Sequence, residues 1–165
     1  MFVAFNPATV RKIYVLRKRN KHKPLLVLIS STNDLRVFRI RYAGQRKKFC
    51  QTVWPGATTV VFPCSSKRLE YLHRGTRTIA FRVPKPLWLR DFLKISGPLV
   101  APSANYEGSP TSLTISGARK YFGNKISFYL DNGRRVSKPS TVVRVKKMGV
   151  EIIRQGAGRI PKKWL

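Results

Sequence analysis

The stretch Pro24-Leu25-Leu26-Val27-Leu28-Ile29-Ser30-Ser31-Thr32-Asn33 decides the fold class. Its apolar run, Leu25 to Ile29, is too short for a helix and gives way at once to Ser, Thr and Asn. Without polar alternation it reads as a strand buried on both faces, the kind found inside a layered α/β sheet. Upstream, Asn6-Pro7 has the chemistry of a helix start, with Asn as N-cap and Pro at the first helical position. Val10, Ile13, Tyr14 and Arg17 then fall on one helical face. A basic loop, Arg17 to Pro24, joins this helix to the strand.

Downstream, Thr58–Phe62 and Thr76–Val83 are β-branched runs bounded by Pro and Gly, hence strands. Residues 35–53 are weakly patterned and predict one or two short helices. Pro86 opens a helix with Leu89, Phe92 and Leu93 on one face, and residues 113–122 read as a helix ended by Gly123. Gly97–Pro102 predicts a short strand running into the loop Ser103-Ala104-Asn105. Ile126–Leu130, Ser140–Val145 and Val150–Ile153 predict three more, the last two forming a hairpin at Met148-Gly149. Strands alternating with helices and closed by a hairpin predict an α/β sheet of mixed direction.

The chain has 165 residues, 42% of them hydrophobic, which predicts one domain over residues 1–165 with a core of its own. No apolar run approaches the roughly eighteen residues of a membrane span, so a soluble protein without a membrane partner is expected. Cys50 and Cys64 stand far apart, distant from His22 and His73, and fit neither a disulfide framework nor a metal site. A reducing, cytoplasmic compartment is the corresponding expectation. Thirty-four Lys+Arg against six Asp+Glu give a formal charge of +28, a field that attracts nucleotides and nucleic acids, although a general basic bias would produce the same composition. The acids Asp34, Glu70, Asp91, Glu107, Asp131 and Glu151 are scattered, which disfavours paired-carboxylate and two-metal catalysis. Two loops stand out beside strand ends: the cations Arg17, Lys18, Arg19 and Lys23, and Ser103-Ala104-Asn105. A solvated basic loop and a plain Ser/Asn turn explain the same residues equally well.

Taken in order, seven segments resemble the Sua5/YrdC family of threonylcarbamoyl-AMP synthases. Arg17-Lys18-Arg19-Asn20 followed by Lys23-Pro24-Leu25 is similar to the family's K-x-R-P and P-L, and Trp54-Pro55-Gly56-Ala57-Thr58-Thr59 to W-P-G-x-x-T. Arg82-Val83-Pro84 closes a strand resembling V-R-x-P, and Ser103-Ala104-Asn105-Tyr106-Glu107-Gly108 resembles S-A-N-x-S-G. Asp131-Asn132-Gly133, Pro139–Val143 and Ile153–Gly156 look like D-x-G, P-S-T-V-V and L-R-x-G. Each motif is weak alone; their order over residues 7–157 is specific.

The resemblance implies a YrdC-like twisted mixed sheet with helices on its faces around a basic cavity. It implies a reaction in which L-threonine, bicarbonate and ATP give threonylcarbamoyl-AMP and pyrophosphate, with Mg²⁺ carried by the ATP. The product would pass to the tRNA threonylcarbamoyl transferase machinery that makes N6-threonylcarbamoyladenosine, and tRNA or double-stranded RNA is an expected partner. By position, the resemblance puts ATP contacts at Arg17, Arg19, Lys23, Thr78, Ser103, Asn105, Thr111 and Arg154. It puts threonine contacts at Arg82, Ala101 and Ser140. Departures from the motifs are Arg17 for Lys, Asn20 for Pro and Leu28 for a His of the Sua5 branch. The family's leading P-T-x-T-x-Y-G-L segment has no counterpart here, so an N-terminally truncated chain with impaired catalysis is expected. The alternative is a catalytically degenerate RNA-binding protein of the same fold; a third reading is the YrdC-like domain of a carbamoyltransferase assembly.

Overall fold

The computed structural model describes residues 2–131, 133, 134, 136 and 138–165. In chain order the elements are β1 (Phe2–Val3), α1 (Pro7–Leu16), β2 (Leu26–Leu28), α2 (Gly44–Val53), β3 (Thr58–Pro63), α3 (Glu70–His73) and β4 (Thr78–Arg82). They continue with α4 (Leu87–Ser96), β5 (Leu99–Val100), α5 (Ile115–Phe122), β6 (Thr141–Val145) and β7 (Val150–Arg154). The seven strands form one sheet in the order β1-β5-β2-β4-β3-β6-β7, with β2–β4 and β3–β6 parallel and the other neighbours antiparallel. This is the mixed sheet expected of the sequence.

Side-chain alternation divides the sheet into two unlike faces. Val27, Val60, Phe62, Ile79, Phe81 and Val143 point to one side and are buried with Val10, Ile13 and Tyr14 of α1 and Phe49, Cys50 and Val53 of α2. Phe81 centres this core, its ring 4.9 Å from Phe38 and 6.0 Å from Phe62. Burying each such side chain contributes about 1.5–3 kcal/mol. Helix α1 starts as its sequence dictates: Asn6 Oδ1 accepts from the Thr9 N–H at 2.9 Å, and Pro7 is the first helical residue. The opposite face is covered only at one end, where Leu93 of α4 packs on Leu28 and Leu99. Leu26, expected to be wholly buried, is therefore half-exposed at the border of a hollow.

Residues 32–53 supply a short 3-10 helix, Thr32–Arg36, and α2. The β6–β7 hairpin turns at Met148-Gly149 with Gly149 at φ +67°, as anticipated. The strand predicted over Ile126–Leu130 does not form. That segment folds back on α5: Tyr129 Oη donates to the Gly123 carbonyl at 2.8 Å, and the Arg119 guanidinium sits 4.6 Å over the Tyr129 ring. Its apolar residues border a hollow with Ile115, Ala118 and Phe122 of α5, and Phe128 and Leu130 remain largely exposed there. The middle residue of Asp131-Asn132-Gly133 lies outside the described residues; Gly133 N–H donates to Asp131 Oδ1 at 2.9 Å.

Candidate active site

The uncovered sheet face forms the floor of a cavity of about 650 Å³. The parity that buries Val60, Phe81 and Val143 brings Thr59 and Val61 of β3, Thr78, Ala80 and Arg82 of β4, and Val142 of β6 to this floor. The basic loop after α1 and the loop after β5 form the rim. Five arginines, 17, 19, 82, 144 and 154, line the cavity, and among its described lining residues there is no carboxylate. Such a hollow draws anions in and discriminates against carboxylate-based metal sites.

Arg17 is 6% exposed and fixed by the 103–105 loop. Its Nε donates to the Asn105 carbonyl (3.0 Å), and Nη2 to Ser103 Oγ (3.1 Å) and Asn105 Oδ1 (2.8 Å). The Ser103 hydroxyl in turn donates to Asn105 Oδ1 at 2.7 Å, and Asn105 Nδ2 donates to the Ser109 carbonyl at 2.7 Å. Asn105 thus sits buried behind Ser103, orienting its hydroxyl and Arg17 without lining the cavity. Burial pushes the Arg17 pKa down, with the neighbouring charge of Arg19 acting the same way and Glu107 opposing.

Arg82 projects from the end of β4, where its Nε donates to the Gly56 carbonyl at 2.8 Å and burial lowers its pKa. The Trp54-Pro55-Gly56 turn needs its glycine, since a Cβ at Gly56 would stand 2.3 Å from the Val53 carbonyl oxygen. Arg154 reaches the cavity because β7 carries one residue more than β6 between their pairings: Val143 opposes Ile152, but Val142 opposes Arg154. Such a bulge re-aims a side chain, here onto the side of Val142 that faces the hollow. Arg154 Nη2 donates to the Ser140 carbonyl (2.8 Å) and Ser140 Oγ (3.3 Å), and Ser140 Oγ meets Thr59 Oγ1 at 2.8 Å. Gly156 permits this closeness, for a Cβ there would lie 2.2 Å from the Pro139 carbonyl oxygen.

Of the residues singled out by sequence, Arg17, Arg19, Thr78, Ser103 and Arg154, together with Arg82, Ala101 and Ser140, line this one cavity. Lys23, Asn105 and Thr111 do not. Lys23 is ion-paired with Glu107 at 2.6 Å, Thr111 is exposed on a loop, and Asn105 is the buried support just described. Sequence reasoning quoted Thr59 as the T of W-P-G-x-x-T without giving it a contact, although the period-2 pattern of β3 puts it on the face of Val61, and it missed Arg144, which lies beyond the motif Pro139–Val143. It also missed the ion-pairing role of Glu107, whose only sequence signal is a lone acid where the motif has Ser.

Residues 2–156 match the Sua5/YciO/YrdC family, described as "Telomere recombination". The chain belongs to that family. It is 27% identical over 155 residues to the threonylcarbamoyl-AMP synthase of Pyrococcus abyssi, covering 93% of this chain and 46% of that protein. It is 30% identical over 140 residues to the threonylcarbamoyl-AMP synthase of Laribacter hongkongensis, covering 84% and 75% respectively. Its fold matches that of Pyrococcus abyssi Sua5 complexed with L-threonine with a TM-score of 0.82 at 27% identity, over 93% of this chain and 46% of that one. The chain therefore spans about half the length of the archaeal relative and three quarters of the bacterial one. No helix among the described residues is long and apolar enough to cross a membrane.

Proposed function

We propose that this chain is a threonylcarbamoyl-AMP synthase, joining L-threonine, bicarbonate and ATP into threonylcarbamoyl-AMP with release of pyrophosphate. The observation that carries the reading is the cavity's lining of five arginines with no carboxylate among its described residues, in a member of this family. In the proposed step the threonine amine bonds to the carbon of bicarbonate with loss of one water, and the resulting carbamate attacks the α-phosphorus through an oxygen. The bond from that phosphorus to the bridging oxygen of pyrophosphate breaks. The charge on both anions and on the departing pyrophosphate calls for fixed cations and donors. Arg17, Arg19 and Arg154 take the phosphates, with Thr78 as a neutral donor and the Ser103 hydroxyl as a second once it turns from Asn105 Oδ1 to the ligand. Arg82 holds the threonine carboxylate, with Ser140 and Ala101 beside it. Asn105 supports Arg17 and Ser103 from behind, and neither Lys23 nor Thr111 is assigned a contact. Mg²⁺ would ride on the triphosphate: the lining supplies no carboxylate, and the described residues hold no cluster of three or more His, Cys, Asp or Glu.

Calorimetry with ATP–Mg²⁺ is expected to show one site weakened by Arg19→Ala and by Ser103→Ala, together with pyrophosphate release that requires both threonine and bicarbonate. Absence of binding at millimolar ATP overturns the reading. The +28 charge supports a further part of the proposal: tRNA is held near the mouth of the cavity, and the product passes to the transferase machinery acting on tRNA. Its affinity for tRNA should fall with salt at a log–log slope of roughly 0.7–0.9 per neutralised phosphate. An affinity no better than that of an unrelated protein of equal charge removes that part.

A further inference from the structure

Among the described residues, Glu107 alone of the six acids combines an ion pair with a hydrogen bond from the backbone of the same distant loop. Its Oε1 accepts from Lys23 Nζ at 2.6 Å, its Oε2 accepts from the Asn20 backbone N–H, and its own N–H donates to the Arg17 carbonyl at 2.8 Å. One residue thereby ties the loop after α1 to the loop after β5, across a sequence separation of 84 or more. Both side chains and backbone take part, and Lys18 Nζ, 4.8 Å over the Tyr106 ring, adds a link between the same loops. The two motif departures fit each other: a proline at position 20 would have no N–H to donate, and a serine at 107 would be too short to reach both partners.

We propose that Glu107, with Asn20, is a positioning residue: it clasps the basic loop 17–24 against the 103–109 loop and so fixes the rim where Arg17, Arg19 and Ser103 meet an anion. The proposal rests on the ATP-binding reading above only for the identity of that anion. Without the Glu107 side chain, the start of the loop stays tied to the 103–109 segment by the Arg17 side chain on Ser103 and Asn105 and by Lys18 over Tyr106, while residues 19–24 keep Tyr14 Oη on the Lys23 carbonyl (3.0 Å), Arg19 Nη2 on the Pro24 carbonyl (3.0 Å) and Arg74 Nε on the Lys21 carbonyl (2.6 Å). None of these last three bonds reaches the 103–109 segment, and the loop's own cations repel one another. Glu107 is the one carboxylate joined to this cluster among the described residues. Lys23, engaged by Glu107 and outside the cavity lining, serves the rim through this ion pair.

The clasp and a direct Lys23–phosphate contact predict opposite signs. If Lys23 bound the nucleotide, Glu107 would compete for it, and Glu107→Ser would free the lysine and tighten ATP. With the clasp, Glu107→Ser weakens ATP–Mg²⁺ binding roughly tenfold, because the rim must be ordered on binding. Lys23→Ala then weakens it less, and the double variant no more than Glu107→Ser alone. Glu107→Gln, which keeps an acceptor for the Asn20 N–H, recovers part of the loss. Hydrogen exchange is expected to quicken at amides 18–23 in Glu107→Ser, with β3 and β4 unchanged, so that a general loss of folding is recognised. Unchanged exchange in that loop, or tighter ATP binding, overturns the proposal. Should the unaltered chain bind no ATP, the functional reading fails while the exchange measurement still decides the clasp.

Discussion

Val60 and Val61 are neighbours in β3, yet they serve different halves of the protein. Val60 is fully buried opposite Phe81, among the aromatic rings of the core; Val61 lies opposite Ala80 and Arg144, on the floor of the arginine-lined cavity. The same strand pattern repeats in β4, where Phe81 fills the core and Ala80 keeps the cavity open between Thr78 and Arg82. The core face is made of volume, and the other face of what it leaves empty. Stability and ligand affinity should therefore separate by parity along one strand.

The largest expected effect lies on the core side. Phe81→Ala removes a fully buried ring in contact with Phe38 and Phe62 and should cost about 3–5 kcal/mol in urea denaturation. Its neighbour inverts the outcome: Ala80→Leu places a larger side chain in the open cavity, with stability within about 1.5 kcal/mol of the parent and loss of ATP binding by calorimetry. A large loss of stability from Ala80→Leu, with binding intact, would break the two-face division.

Next comes Arg154, which the bulge turns onto the cavity side from an exposed edge strand. Arg154→Ala removes charge-assisted donors, each worth about 1.5–3 kcal/mol, and should weaken ATP or pyrophosphate roughly tenfold to a hundredfold. The melting temperature should shift by only a few degrees, because this side chain packs against Ser140 and solvent and not in the core. Equal losses in stability and affinity would show that its role is to hold the β6–β7 hairpin.

The core face was largely legible in the sequence, and the cavity only through motif order. The run Leu25–Ile29 and the β-branched strands 58–62 and 76–83 announced the sheet because burial on the core side imposes apolar residues at every second position. The alternation Ile126, Phe128, Leu130 misled because alternation alone does not prove burial: Phe128 and Leu130 stay exposed, at the border of a hollow beside α5. Strand β5 shrank to Leu99–Val100, a length too short for any periodicity to mark. The bulge before Arg154 is a matter of pairing register, which the sequence of one strand does not contain. Lys23 resembled a ligand contact by position alone; its engagement depends on Glu107, eighty-four residues away.

The smallest expected effect is a titration confined to the rim. The hydrogen bond from Lys23 Nζ, followed by that from the Asn20 N–H, holds the Glu107 carboxyl below the usual carboxylate range. A carboxylate depressed in the folded state stabilises the native loop fully above its ordinary pKa of about 4.3, and that contribution is lost as pH falls through the lower folded value. In an NMR titration the Asn20 amide should follow this protonation, with a midpoint below the ordinary glutamate range. The Val60 amide, on the core face, should stay flat over the same interval. Because Lys23 is 59% exposed, salt screens the pair, and high ionic strength should move the Asn20 midpoint back toward the ordinary value. Glu107→Gln should abolish the Asn20 titration. A midpoint at or above the ordinary glutamate value would mean that the carboxylate is not held by the loop, and the rim would then be no more ordered than its solvated basic composition requires.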